Sequence, residues 1–312
     1  MSLINISAFL FLLGNTLLPL QYRLSDTEGY RAVIRYEDGF LAAGSEGRID
    51  LISVSGKILK SEIFQGENFN CLISDDHRVV AGGDNGTILI SSVDGVFRKT
   101  SSGTDKSIYS LAVFNNRIIA GSGRGEIITI DDKGTITSER LPLKGNIVSL
   151  SARASDCFGV TDEGEIIKTS DGKSWDIFDF NQVYSGFYKA CRFTKVLATE
   201  DRIAAAGINY DGSPVFMFSN QGKVWTERQL IYTDEQGAQN LLDGLPADFF
   251  YDGPADQFFL VCTNGKLLKL PSCSHCNELS VVSKKKLSGK SCNENTMLVV
   301  GENYYVKNII FR

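Results

Sequence analysis

Leu41-Ala-Ala-Gly-Ser-Glu-Gly-Arg-Ile49 is the first of four stretches that align with one another without gaps. The other three are Val80-Ala-Gly-Gly-Asp-Asn-Gly-Thr-Ile88, Ile119-Ala-Gly-Ser-Gly-Arg-Gly-Glu-Ile127 and Phe158-Gly-Val-Thr-Asp-Glu-Gly-Glu-Ile166. Each stretch consists of an apolar strand, a polar tight turn that ends on glycine, and a second apolar strand. The four closing glycines (Gly47, Gly86, Gly125 and Gly164) follow one another every 39 residues. The sequence is therefore a tandem repeat of one strand–turn–strand unit.

Three weaker copies of the unit follow, with their turns ending at Gly212, Gly265 and Asn303. Asparagine replaces glycine in the last copy, and it is the other residue that tolerates positive φ. A second turn follows most copies, and an alternating apolar run, such as residues 30 to 36, precedes them. Each period thus holds about four short strands, and the number of periods is seven.

Seven units of four strands predict an all-β chain folded as a seven-bladed β-propeller of four-stranded blades. We label the strands of each blade A to D from the central channel outward. Blades bury their faces only against their neighbours, so the ring has to close. The last unit reaches only its third strand before the chain ends. We therefore expect an N-terminal strand at residues 20–24 to pair with the last blade and close the ring.

The domain prediction is a single propeller at residues 20–312, preceded by an apolar segment at residues 1–19. The apolar stretch from Ala8 to Leu13 has the length of a signal-peptide core and is too short to span a bilayer. We expect an exported protein, periplasmic or extracellular. The alternative is a cytoplasmic protein in which this segment packs against the propeller.

Charge and composition reduce the classes of partner that we expect for this protein. The formal net charge is −5, which argues against nucleic-acid binding. Lys284, Lys285 and Lys286 form the one basic cluster, which we interpret as a solvated strand edge. We expect a monomer with no membrane span, no cofactor and no metal.

The turn Thr169-Ser-Asp-Gly-Lys-Ser-Trp175 resembles the Asp-box of sialidase-type (BNR) propellers. Ser219-Asn-Gln-Gly-Lys-Val-Trp225 is a looser copy, with glutamine in place of the acidic residue. The chain is also similar in its blade pattern to bacterial propellers with degenerate Asp-boxes, including photosystem assembly-factor-like ones. The resemblance implies structural roles in the two turns for Asp171, Gly172, Trp175, Gly222 and Trp225. In such motifs the polar residues stabilise the hairpin and the aromatic ring packs between blades.

Cys273-Ser-His-Cys276 is the most unusual short motif of the sequence. In an exported protein it favours a structural disulfide, formed by Cys273 with Cys276 or by either of them with Cys292. Unpaired inert thiols, a zinc site that includes His275, and a redox dithiol are the alternatives.

The B–C turns and the D–A loops of a propeller meet on one face, where ligands usually bind. On this rim we predict contacts to a partner from Glu46, Asp84, Arg124, Asp162, Glu163, Tyr210, Asp211, Asn264 and Glu302. An insert at residues 229–246 breaks the period, and function tends to be grafted on such departures. Within the insert, Tyr232, Asp234 and Glu235 are candidates for a lid or a partner contact.

No catalytic signature is present, so the sequence predicts no catalytic residues. The leading hypothesis is a non-enzymatic binding or assembly module whose rim contacts a protein or glycan partner. The alternative is an exported carbohydrate-active enzyme, a glycoside hydrolase or lyase, on the same scaffold. An enzyme would require a close pair of carboxylates beside a deep pocket.

Overall fold

The computed structural model describes residues 27–75, 78–91, 95–183, 191–234, 236–271, 277–293 and 296–310. The N-terminal apolar segment, the expected closing strand at residues 20–24, Glu235, His275 and the cysteines of the CxxC motif lie outside these ranges.

The chain is an all-β, seven-bladed propeller, which confirms the predicted fold class. Blade 1 consists of β1 (Tyr30–Tyr36), β2 (Gly39–Gly44), β3 (Arg48–Ser53) and β4 (Ile58–Ile63). Blade 2 consists of β5 (Phe69–Ser74), β6 (Val79–Gly83), β7 (Thr87–Ser91) and β8 (Phe97–Ser101). Blade 3 consists of β9 (Ile108–Phe114), β10 (Arg117–Ser122), β11 (Glu126–Ile130) and β12 (Ile136–Arg140). Blade 4 consists of β13 (Ile147–Ala152), β14 (Cys157–Thr161), β15 (Glu165–Thr169) and β16 (Asp176–Asp179). Blade 5 consists of β17 (Arg192–Ala198), β18 (Ile203–Ile208), β19 (Pro214–Ser219) and β20 (Thr226–Glu227). All strand pairs in these sheets are antiparallel between chain neighbours.

A short hairpin of β21 (Ile231–Thr233) and β22 (Gln239–Leu241) separates blade 5 from blade 6. Blade 6 consists of β23 (Pro246–Asp252), β24 (Gln257–Cys262), β25 (Lys266–Pro271) and β26 (Glu278–Val281). Blade 7 consists, within the described ranges, of β27 (Leu287–Asn293), β28 (Thr296–Gly301) and β29 (Tyr305–Ile310). One short helix, α1 (Phe180–Val183), follows blade 4.

The B–C turns of the first three blades have two successive residues in the left-handed region. Glu46, Asn85 and Arg124 have φ of 57°, 53° and 59°, and each precedes the closing glycine of its repeat, which also has positive φ. Two positive φ values match the right-handed twist of the flanking strands. The turn therefore accounts for the strict spacing of the repeat, and it points the side chains of these three residues into solvent.

The core lies between the blades rather than at one centre. Phe158 of blade 4 and Phe193 of blade 5 belong to one buried cluster, together with Trp225. Trp175 packs in the same way against the cluster between blades 3 and 4. Both indole rings thus lie between neighbouring blades, where the Asp-box resemblance implied they would be.

The turn before Trp175 is held by the Asp171 carboxylate. One of its oxygens accepts the backbone N–H of Lys173 at 2.7 Å and that of Ser174 at 2.8 Å. These hydrogen bonds lower the pKa of Asp171 to about 2, and the bond from the Ser174 N–H has the largest effect. Asp171 therefore acts as the brace of a hairpin turn.

Blade 1 packs against blade 7 through a polar cluster that interrupts the repeat. Asp50 is fully buried at the position where blades 2 to 6 carry Leu89, Ile128, Ile167, Met217 and Leu268. Its Oδ2 accepts hydrogen bonds from the Tyr30 hydroxyl and, at 2.7 Å, from Arg48 Nε. The Arg48 guanidinium lies 4.6 Å above the ring of Tyr304 in blade 7.

A backbone bridge joins the same two blades, between Gly29 and Glu302. Asn303 N also donates to Glu28 O at 2.8 Å. The first and last blades are thus tied by backbone bonds and by the cluster around Asp50.

The interpretation of Lys284, Lys285 and Lys286 as a strand edge was wrong. The three residues lie in the exposed D–A loop between β26 and β27. The backbone of Lys286 is held there by Glu302, so the loop follows the neighbouring turn instead of extending a strand.

Candidate functional site

Every A strand contains a β-bulge after its first or second residue, where it pairs with its B strand. The register shifts once in each of the seven blades, between the residue before and the residue after the bulged one. The bulged residues are Arg31, Asn70, Tyr109, Val148, Thr194, Ala247 and Ser288. Bulges re-aim side chains, and they are frequent beside functional sites. Here six of the seven bulged residues, all but Ala247, line the channel.

A cavity of about 170 Å³ occupies the channel, and the A strands line it. Its charged lining residues are Arg31, Asp162, Lys195 and Asp248. Asp162 belongs to a B–C turn, and the bulges lie at the starts of the A strands. The cavity therefore lies toward the face that carries the B–C turns and the D–A loops.

A network from blades 1 and 2 forms one wall of the cavity. Arg31 Nη1 donates to Asn70 Oδ1 at 2.9 Å, and Asn70 Nδ2 donates to Asp84 Oδ1 at 2.9 Å. The guanidinium also lies 3.9 Å from Asp84 Oδ2. This wall joins a predicted rim residue, Asp84, to two channel residues that the sequence analysis did not select.

An ion pair from blades 5 and 6 forms the opposite wall. Lys195 Nζ lies 3.3 Å from Asp248 Oδ1. Asp248 is fixed in turn by two backbone donors, Phe249 N at 2.9 Å and Lys290 N at 3.3 Å. The pair is thus anchored through the carboxylate, while the ammonium group reaches into the cavity.

Several predicted rim residues join neighbouring blades rather than point freely into solvent. Asn146, in a D–A loop, accepts Arg124 N of the preceding turn at 2.9 Å and donates from Nδ2 to Asp162 Oδ2 of the following turn at 2.7 Å. Asn68, two repeats earlier, likewise bonds Glu46 N and Asp84 N at 3.0 Å each. We call these two asparagines the rim latches.

The later blades use related contacts at the same level. Asn264 Nδ2 donates to Asp243 Oδ1 at 3.1 Å, and Glu302 Oε1 accepts Lys286 N at 3.0 Å. Asp211 accepts the N–H and the hydroxyl of Ser213 within its own turn. Glu163 donates its N–H to Thr161 Oγ1 at 3.4 Å, within its own turn. Tyr210, by contrast, is 65% exposed.

The insert forms the β21–β22 hairpin, whose tight turn is organised by Asp234. This carboxylate accepts Gln236 N at 3.0 Å, Ala238 N at 2.8 Å and Asn240 Nδ2 at 2.8 Å. Hydrogen bonding to Ala238 N and the other donors lowers its pKa. Asp234 is thus a turn brace, while Tyr232 packs partly buried against the core between blades 5 and 6.

A groove of about 520 Å³ separates the insert from the B–C turn of blade 5. It is lined by backbone-rich segments at residues 209–214 and by Leu230, Leu241 and Asp243. The groove is larger than the channel cavity, and each is lined by four charged side chains. The channel cavity is the more enclosed of the two, so it is the stronger candidate for a specific site.

Cys292 carries a free thiol, so the structure does not support its part in the expected disulfide. Cys71, Cys157, Cys191 and Cys262 are likewise free and buried. Burial raises the pKa of each of these four thiols to about 12. They are packing residues.

Within the described residues, no group of three or more His, Cys, Asp or Glu side chains is arranged to hold a metal ion. In the same ranges, the helices are all too short or too polar to cross a bilayer.

Sequence reasoning missed the channel residues Arg31, Tyr109, Lys195 and Asp248. Arg31 and Tyr109 are bulged residues, and the signal of Lys195 and Asp248 appears only when the A strands are aligned after the bulge. At that position five blades carry Ala32, Cys71, Ser110, Ser149 and Gly289, whereas blades 5 and 6 carry Lys195 and Asp248.

Comparison with known proteins establishes the fold and no more. No family model matches the chain, and no curated protein does. Among solved structures, the computationally designed Ika8 protein superposes with a TM-score of 0.59 at 12% sequence identity. The match covers 91% of this chain and 97% of the designed one. At this identity the likeness concerns the fold alone.

Proposed function

We propose that the protein is a non-enzymatic binding module for a glycan, with the channel cavity as the centre of its ligand-binding face. The cavity carries the proposal, because donors and acceptors from several blades converge in an enclosed space there. The exposed turn residues Glu46, Arg124 and Glu163 and the exposed ring of Tyr210 surround it as outer contacts to the partner.

The cavity carboxylates favour binding over catalysis. Asp248 is paired with a lysine and held by two N–H groups, and Asp162 is bonded to a rim latch. Carboxylates held in this way are set to accept hydrogen bonds in fixed positions. A glycosidase instead requires one acid and one base that face each other across the scissile bond.

Two earlier predictions are part of this proposal. We propose that the Asp-box-like turns mark a distant relation to BNR-type propellers and have a structural role only. We also propose export, since glycans are abundant outside the cell. Fractionation of cells that express the full chain, with mass measurement of the product, tests this location. An unprocessed chain confined to the cytoplasm would contradict it.

A glycan array probed with the full chain tests the binding function. The informative variant is Gly289→Leu, because Gly289 lines the cavity and a Cβ there would have no neighbour closer than 3.6 Å. The new side chain fills the channel without a backbone clash. Lys57→Met, in an exposed C–D turn on the opposite face, is the control.

We expect wild type and Lys57→Met to bind the same glycans and Gly289→Leu to lose them. Binding that survives in Gly289→Leu would place the ligand elsewhere and refute the channel as its site. Mass spectrometry of the glycans after incubation addresses the enzymatic alternative, and shortened or unsaturated products would overturn the non-enzymatic assignment.

A further inference from the structure

One ring of the channel departs from the repeat in two adjacent blades only. After the bulge, five blades carry alanine, cysteine, serine or glycine, and blades 5 and 6 carry Lys195 and Asp248. Blade packing therefore needs no more than a small side chain at this position. The packing of the blades therefore does not account for the Lys195–Asp248 ion pair.

Stability alone does not explain the pair. Removing two charges from water has a free-energy cost that their attraction often fails to offset, and apolar replacements are commonly neutral or stabilising. The exposed fraction is 10% for the Asp248 side chain and 32% for that of Lys195. The anchored carboxylate is thus mostly removed from solvent, while the ammonium group keeps access to the cavity.

The ammonium group of Lys195 is poised to donate to a ligand. It can form three hydrogen bonds, and among the described residues it has one ion-pair contact, to Asp248 Oδ1. Asp248 holds the lysine in place across a short distance. The pair therefore offers a donor and an acceptor side by side, which suits two adjacent hydroxyl groups.

The cavity has no excess of positive charge. Its lining contributes two positive charges, from Arg31 and Lys195, and two negative ones, from Asp162 and Asp248, and Asp84 adds a third negative charge beside Arg31. An anionic ligand would therefore find no uncompensated positive charge. A neutral ligand rich in hydroxyls needs none, and it gains charge-assisted hydrogen bonds from Lys195 and Asp248.

The size of the cavity suits a single ring. A volume of about 170 Å³ equals that of roughly six liquid-like waters. Tyr109 adds aromatic surface, and apolar side chains such as Leu72, Val148 and Leu150 lie between the two polar walls. A single sugar ring fits this space, while a longer chain would have to continue outward over the rim.

We propose that the channel cavity binds one uncharged sugar ring, with Lys195 and Asp248 bonded to neighbouring hydroxyls. This inference rests on the proposed glycan-binding function and names the ligand class for the same site. Arg31 and Asp162 complete the hydrogen bonding from the other walls.

The test is titration of the full chain with single sugars, followed by calorimetry or saturation-transfer NMR. The panel consists of neutral hexoses (glucose, galactose, mannose), a uronic acid, N-acetylneuraminic acid and a hexose phosphate. The variants are Lys195→Met and Asp248→Asn, which keep the shape of the side chains, with Lys57→Met as the matched lysine control. Thermal unfolding of each variant verifies that it is folded.

We expect a neutral hexose to bind most tightly, with an affinity that changes little between ~0.05 M and ~0.5 M NaCl. Lys195→Met and Asp248→Asn should each weaken binding by about tenfold or more, as loss of a hydrogen bond to a charged group does. Lys57→Met should leave the affinity unchanged, and Gly289→Leu should abolish binding.

Three results would overturn the inference. They are tighter binding of an acidic sugar, full affinity in both Lys195→Met and Asp248→Asn, and no binding of any single sugar. If the array still shows glycan binding that Gly289→Leu removes, the proposed function stands and only the ligand class is wrong. If wild type binds no glycan at all, both fail.

Discussion

Two glycines at equivalent places in the Asp-box-like turns should differ sharply in their tolerance of alanine. Gly172 and Gly222 have nearly the same left-handed conformation, with φ of 73° and 75°. A Cβ at Gly172 would lie 3.7 Å from Phe114 and Ile119, which is ordinary contact. A Cβ at Gly222 would lie 2.6 Å from Cε1 of Phe158, a ring that is fully buried.

The magnitudes follow from these contacts. Both substitutions incur the strain of a left-handed alanine, about 1–2 kcal/mol. Gly222→Ala adds the overpacking of a buried ring, about 1–3 kcal/mol. The ring has little room to move, since it is fully buried in the cluster between blades 4 and 5. We expect Gly172→Ala to lose about 1–2 kcal/mol of unfolding free energy and Gly222→Ala about 2–5 kcal/mol.

Urea unfolding at equilibrium measures the difference, with Trp fluorescence and far-UV circular dichroism as two probes. Trp175 and Trp225 each lie three residues after the substituted glycine, so fluorescence reports on both turns. Gly134→Ala is the control, because its φ is 80° and no atom lies within 4 Å of the added Cβ. Gly172→Ala should match this control. Equal losses in Gly172→Ala and Gly222→Ala would refute the argument that the turn packs tightly on the preceding blade.

Three further predictions concern titration and reactivity. Tyr30→Phe should cost about 1–3 kcal/mol of stability, because it removes a donor from the buried Asp50. Burial and the hydrogen bond to Asp50 raise the pKa of Tyr30 above its ordinary 10.0, so wild type should lose stability as the pH rises past 10. Thermal unfolding in this pH range should show a smaller loss of stability in Tyr30→Phe. Asp171→Asn should lower the melting temperature at neutral pH. The difference in melting temperature from wild type should shrink as the pH falls from the ordinary carboxyl pKa of 3.8 toward 2, because the wild-type carboxylate then becomes protonated and no longer braces the turn. A difference that stays constant over this range would contradict the prediction. In a Cys273→Ser/Cys276→Ser variant, Ellman's reagent near neutral pH should label the remaining thiols slowly until urea is added, and rapid labelling of the native protein would contradict their burial.

The sequence was sufficient to predict the propeller because its turns require glycine. The left-handed residues at Gly47, Gly86 and Gly125 tolerate few alternatives, so they mark the repeat even where strand residues vary. The inward packing of Trp175 and Trp225 was implied by the Asp-box resemblance of their turns. The predicted closing strand stays a prediction, because it lies outside the described residues.

The candidate site was harder to predict. A bulge adds one residue to one strand, and the sequence does not show which residue is added until the strand is paired. Lys195 and Asp248 are far apart in the chain and meet only because blades 5 and 6 are neighbours. The rim residues were chosen for polarity, but polarity alone does not separate a ligand contact from a latch such as that between Asn146 and Asp162.

The seven bulges also have an evolutionary consequence. A bulged residue lies outside the backbone pairing of its blade, so the sheet itself places few demands on its side chain. Six of the seven, all but Ala247, line the cavity, and each is supplied by a different segment of the chain. Because Arg31, Asn70 and Ser288 also bond neighbouring blades, a library at these positions would change ligand preference one blade at a time where those bonds are kept.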